Sequence, residues 1–163
     1  MKKFLFIVPL ILLNLACSNI KENNVSNYFV SQNKSYNGGF ENSGYTIKSN
    51  IVHHNGNTFL VEKTTDTATT VERIYILLDD RVELLSTKEE GNTDLNSLDL
   101  TNGEIVLKEP LKIGNSWESK GNKYKIIDVN EKYISVEKTF SSGLIENSIY
   151  EKNVGKIKKI IKI

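Results

Sequence analysis

Residues 45–63 read YTIKSNIVHHNGNTFLVEK, and the pair Asn55-Gly56 near their centre decides the fold class. Asn-Gly between runs of β-branched and aromatic residues is the strongest short-range signal for a two-residue hairpin, because both residues accept the positive φ of the tight turn. Residues 45–54 and 58–63 are therefore expected to be antiparallel strands. Further on, residues 71–78 end in Ile74-Tyr75-Ile76-Leu77-Leu78, apolar on both faces, which suits a central, doubly covered strand. Asp79-Asp80 turns the chain, and residues 81–87 alternate Val82 and Leu84 against Arg81 and Glu83 as a fourth strand. Beyond the N-terminal leader no stretch holds a capped helical period for more than two turns, so the expected class is all-β, an antiparallel meander.

The pattern recurs. Val61-Glu62-Lys63-Thr64 returns as Val136-Glu137-Lys138-Thr139, and Ile74-Tyr75 as Ile149-Tyr150, both 75 residues later. The same offset lays Ile51 on Ile126, Val52 on Ile127 and Phe59 on Ile134. A second meander is then expected at residues 123–129, 133–140, 144–151 and 154–163. Two pseudo-repeated four-strand halves would form a curved sheet or half-barrel. A true repeat puts Phe59, Val61, Ile134 and Val136 in the core and Glu62 and Glu137 in solvent, since a one-residue slip turns every side chain of a strand over. Two unrelated meanders sharing β-propensity are the alternative.

The 163 residues include 39% apolar and 25% charged, which excludes both a disordered chain and a multi-pass membrane protein. Lys2 and Lys3 precede an apolar run from Phe4 to Leu13, too short for a stable transmembrane helix and proportioned like a secretory signal. The run ends in Asn14-Leu15-Ala16-Cys17, with the chain's single cysteine directly after a small residue. This segment resembles the lipobox of bacterial lipoproteins, with Asn14 where a leucine is usual. The expectation is a signal peptide at 1–16 and a palmitate-type lipid on Cys17, anchoring the protein to the extracytoplasmic face of the cell membrane. In a cell with two membranes, Ser18 in place of a retaining aspartate directs it to the outer one. A free buried Cys17 behind an ordinary signal is the other reading.

Loss of Lys2 and Lys3 would turn the formal charge from +1 to −1, and nothing recommends a nucleic-acid partner. Residues 17–44, punctuated by Gly38, Gly39 and Gly44, read as the lipidated cysteine and a flexible tether; residues 45–163 read as one domain. Within the tether, Asn27-Tyr28-Phe29-Val30 is too apolar to stay in water and is expected to dock on the domain.

Catalytic constellations are thin. His53 and His54 are adjacent and point to opposite faces of a strand, so they cannot share one metal ion. There is no nucleophile elbow and no phosphate loop, and lipidation would remove Cys17 as a nucleophile. Neither a catalytic residue nor a metal or other cofactor is expected. Asp94, Asn96 and Asp99 offer oxygen ligands, but the spacing and glycine of a calcium loop are missing, and a solvated acidic loop accounts for residues 88–102 better. Lys152, Lys156, Lys158, Lys159 and Lys162 crowd the C-terminus; they would either approach an anionic surface or block edge-to-edge strand pairing, the commoner use. Trp117, the largest apolar group, is the expected core anchor, with an exposed ligand-stacking ring as its alternative.

The run from Glu104 through Pro110, Gly114 and Trp117, with Tyr150 and Val154-Gly155-Lys156-Ile157-Lys158, resembles an uncharacterised lipoprotein family of clostridia and related low-GC bacteria. Tyr28-Phe29 matches that family's Tyr-Phe-Pro, with Val30 replacing the proline. The resemblance implies a cell-surface lipoprotein and transfers no catalytic or ligand-binding residue. The expected function is binding or scaffolding by a lipid-anchored domain, not catalysis. Its rival is a lipid or lipoprotein carrier with an apolar half-barrel hollow; an open cavity of roughly 300–1,000 Å³ would favour the carrier and a filled interior the scaffold.

Overall fold

The computed structural model describes residues 24–38, 43–67 and 69–162; the signal segment, Cys17 and the start of the tether lie outside the described residues. Asn55 and Gly56 take φ of 48° and 77°, closing the hairpin of β2 (Tyr45–His54) and β3 (Asn57–Thr65) in the register His54 opposite Asn57. β4 (Thr70–Leu77) and β5 (Arg81–Glu89) continue the meander, flanked by β1 (Gln32–Tyr36) and β6 (Glu104–Lys108). Five more strands follow: β7 (Ser116–Ser119), β8 (Asn122–Val129), β9 (Tyr133–Thr139), β10 (Ile145–Glu151) and β11 (Gly155–Lys162). They make two antiparallel sheets, β1 to β6 and β7 to β11, in which every strand lies beside its sequence neighbours. All eight expected strands are present, and β1, β6 and β7 are additional.

The sheets face each other without closing into a barrel. Each seam is bridged by side chains instead of a backbone ladder. Between β6 and β7 the Trp117 indole Nε1 donates to the Ile105 carbonyl, and the Ile105 N–H donates to Ser119 Oγ, both at 2.8 Å. Between β1 and β11 the Tyr36 hydroxyl donates to the Lys156 carbonyl at 2.7 Å. Gly155, at φ 92°, leaves room there for the Gln32 side chain, which lies 3.4 Å from where a Cβ would stand. Trp117 is thus a half-buried seam residue, stacked on Tyr124 at 5.4 Å, and not the fully buried anchor expected. A ring with an N–H to satisfy serves better where a carbonyl is free at a strand edge.

The interior between the sheets is apolar at one end. Leu60, Tyr75, Val82, Leu107, Ile126 and Ile134 close it, and a 3-10 turn, Val25–Tyr28, plugs it with Val25, Tyr28 and Phe29. Asn24 caps that turn, its Oδ1 accepting from the Ser26 N–H at 2.9 Å. The expected docking of residues 27–30 is therefore seen, and among the described residues packed structure extends N-terminal of Tyr45 back to Asn24, with β1 in the first sheet, because the apolar residues there have a hollow to fill.

A second cluster covers the outer face of the first sheet, where Leu95 and Leu98 lie over Phe59, Ile74 and Ile76. The 88–102 segment is consequently a cover, not merely a solvated loop. Asp94 and Asp99 are its local caps, accepting from the Asn96 and Thr101 N–H groups at 3.0 and 2.9 Å.

The repeat survives only in part. Tyr75 and Tyr150 are both buried and both line the interior. In β3, however, the inward residues are Leu60 and Glu62, whereas in β9 they are Ile134 and Val136. Val61 is paired with Ile74 on the outer face, Phe59 is buried in the outer cluster, and Glu62 is only 5% exposed. The cause is turn length. Leu60 pairs with Tyr75 and Ile134 with Tyr150, but β3 closes Thr65 on Thr70 while β9 closes Thr139 on Ile145, one residue wider. That extra residue shifts the Val-Glu-Lys-Thr segments out of equivalence and turns them over relative to each other.

Candidate functional site

Toward the other end the sheets part around a cavity of about 550 Å³. Its floor is formed by Tyr75 and Tyr150, with Phe29 of the plug beneath them, its ring 5.4 Å from Tyr75 and 5.0 Å from Tyr150. Its walls carry apolar residues such as Ile47, Leu84, Val106 and Val136. Charged residues are distributed along it: Glu62 and Lys156 stand beside the aromatic floor, and Glu104, Lys138, Glu146 and Lys159 line the rest of the hollow.

Three of the charges are carboxylates engaged by cations. Glu104, on β6, accepts from the Tyr124 hydroxyl and Asn122 Nδ2 at 2.6 Å each and from Lys138 Nζ at 2.9 Å. These donors stand on the second sheet, so Glu104 ties the two sheets across the cavity. Glu146 meets Lys159 at 2.8 Å and accepts from Ser148 Oγ at 3.1 Å. Glu62 faces Arg73 at 3.6 Å, and Arg73 also donates to Thr64 Oγ1 at 3.1 Å.

Lys156 differs. Among the described residues its Nζ has no ion pair or hydrogen bond, only the face of the Tyr150 ring 5.4 Å away. Tyr75 also keeps a hydroxyl that bonds to no described residue.

Burial raises the Glu104 and Glu146 carboxyls, but the hydrogen bonds from Tyr124, Lys138 and Asn122, and from Lys159, outweigh it and leave both below the ordinary carboxylate range. Burial pushes the Tyr75, Tyr124 and Tyr150 hydroxyls up, reinforced at Tyr124 by its bond to Glu104. For Lys156, burial works against the charge, yet Tyr150, Tyr75, Glu62 and Glu146 overcome it and hold the ammonium above its usual value. Every one of these shifts moves a group further from neutrality.

The residues singled out in the sequence are mostly elsewhere. His53 Nδ1 meets Thr58 Oγ1 at 3.1 Å and His54 Nε2 meets Asn96 Oδ1 at 2.9 Å, both at the β2–β3 hairpin. Among the described residues no group of three or more His, Cys, Asp or Glu could hold a metal ion, and no helix is long and apolar enough to cross a membrane. The lysine tail divides: β11 is an edge strand, and Lys156 and Lys159 turn inward to line the cavity. The cavity charges Glu62, Arg73, Glu104, Lys138 and Glu146 went unremarked as a group. Their signal was charge at the parity of buried neighbours, as in Leu60-x-Glu62.

Fold and cavity together define an all-β protein with two facing meander sheets around a partly charged hollow. No family model matches the chain, and no curated protein or solved structure is significantly similar to it.

Proposed function

We propose that this is a lipid-anchored extracytoplasmic lipoprotein of the clostridial type resembled above, and that it captures a small amphipathic ligand between its sheets. The observation that carries the capture reading is the cavity: about 550 Å³ lies within the range of small-molecule sites, and a lining of aromatic and aliphatic residues set with charged groups suits a ligand with one apolar and one polar part. Scaffolding alone leaves such a hollow without a use. A wholly apolar lipid carrier is less well served, since Glu62, Arg73, Glu104 and Lys138 line the same space. The pKa shifts support binding over catalysis, because a general acid or base works best with a pKa near the operating pH and here the shifted groups are driven away from it.

Two experiments test the reading. Val136→Trp places an indole in the cavity; native mass spectrometry of the purified chain should show a copurifying small molecule in the wild type and none in this variant, whose cooperative urea unfolding reports that it is folded. Equal small-molecule occupancy in both, or none in either, overturns capture. For the anchor, Cys17→Ala should abolish metabolic lipid labelling and release the protein from the membrane fraction or stall its processing. Unchanged labelling and partitioning of that variant refute lipidation.

A further inference from the structure

Four carboxylates, Glu62, Asp66, Glu104 and Glu146, and four cations, Arg73, Lys138, Lys156 and Lys159, line the cavity. Glu62, Glu104 and Glu146 are in contact with Arg73, Lys138 and Lys159 respectively, and Asp66 accepts the Thr69 N–H at 3.1 Å. Among the described residues Lys156 Nζ has no such contact. The ammonium is held charged by its surroundings, yet its N–H donors are engaged by no described residue and stay open to whatever enters the cavity. Beside it the Tyr75 hydroxyl offers a second uncommitted donor over the aromatic floor.

We infer that the cavity takes a singly charged organic anion, its acidic group against Lys156 Nζ and the Tyr75 hydroxyl and its apolar body along Ile47, Leu84, Val106 and Val136. The inference rests on the capture reading and specifies its ligand class. A dianion would bring a second charge close to the carboxylates already seated on Arg73 and Lys159. Because Lys156 stays protonated well above neutrality, the preference should persist through mildly alkaline conditions.

A matched pair of probes separates the charge from the body: 8-anilinonaphthalene-1-sulfonate and its uncharged parent N-phenyl-1-naphthylamine. Both are titrated by fluorescence into the full chain in nanodiscs of zwitterionic lipid, with empty discs and discs of the Val136→Trp protein as blanks. The wild type should bind the sulfonate about tenfold or more tightly than the parent, the worth of one charge-assisted contact. Lys156→Met should erase that preference and keep parent binding, which also reports that the variant is folded, while Lys156→Arg should retain it. Equal affinities in the wild type, or a preference that survives in Lys156→Met, overturn the anion inference and leave capture standing. Binding of neither probe above the blanks overturns capture, and the anion inference with it.

Discussion

Phe29→Ala should lower the unfolding free energy by about 3–5 kcal/mol, the usual cost of emptying a large aromatic core site. Phe29 is 5% exposed, and its ring is the surface on which Tyr75 and Tyr150, from opposite sheets, both rest. Aromatic pairs of this geometry contribute beyond their buried area, so truncation removes two such contacts and opens a void under the cavity floor. Urea denaturation with an unchanged slope is the measurement. A loss below about 1 kcal/mol would mean that the plug is an accessory to the fold and not a part of its core.

Glu104→Ala should cost about 2–3 kcal/mol, somewhat less than removing one partner of a fully buried ion pair, because Glu104 and Lys138 keep 15% and 18% of their side-chain surface. Three donors from the second sheet lose their acceptor at once. Hydrogen exchange should rise first in β6 and β7, where the seam is already held by side chains. The acid limb gives a second reading. A carboxyl whose folded pKa is depressed contributes stability that is complete above the unfolded value near 4.3 and is lost as the pH falls through the folded value. Glu104→Gln should therefore flatten the stability profile below about pH 4.5 while lowering stability at neutral pH. A profile that still falls like the wild type's would assign the acid sensitivity to Glu146 or another carboxylate.

The hairpin at Asn55-Gly56 and the two four-strand meanders were legible because turn chemistry and strand propensity are local. The register between the halves was not, since it hangs on one additional residue in the turn between Thr139 and Ile145. The short strands β1, β6 and β7 were missed because four or five residues cannot show a period of two; the Lys120-Gly121 turn, at φ of 51° and 75°, was the available sign of β7. The site was the least legible part. Glu62 and Lys138 read as solvent-facing on any scale of polarity; only the meeting of the two sheets shows that Glu104 reaches Lys138, and only the register of β3 on β4 sets Arg73 opposite Glu62. Lys156 was hidden in a tail whose lysines looked alike, although two of them turn inward and two outward.

The 3-10 plug also decides which way the cup would face. Asn24, the first described residue, lies at the closed end, away from the mouth. Seven residues of fully extended chain span at most about 25 Å, so a lipid on Cys17 would hold the base of the cup close to the bilayer and leave the opening toward the surrounding fluid. Cargo would then arrive from the aqueous side and never need to climb out of the membrane. The protein would act as a moored receptacle sampling what diffuses past, with its selectivity set by solutes dilute in water.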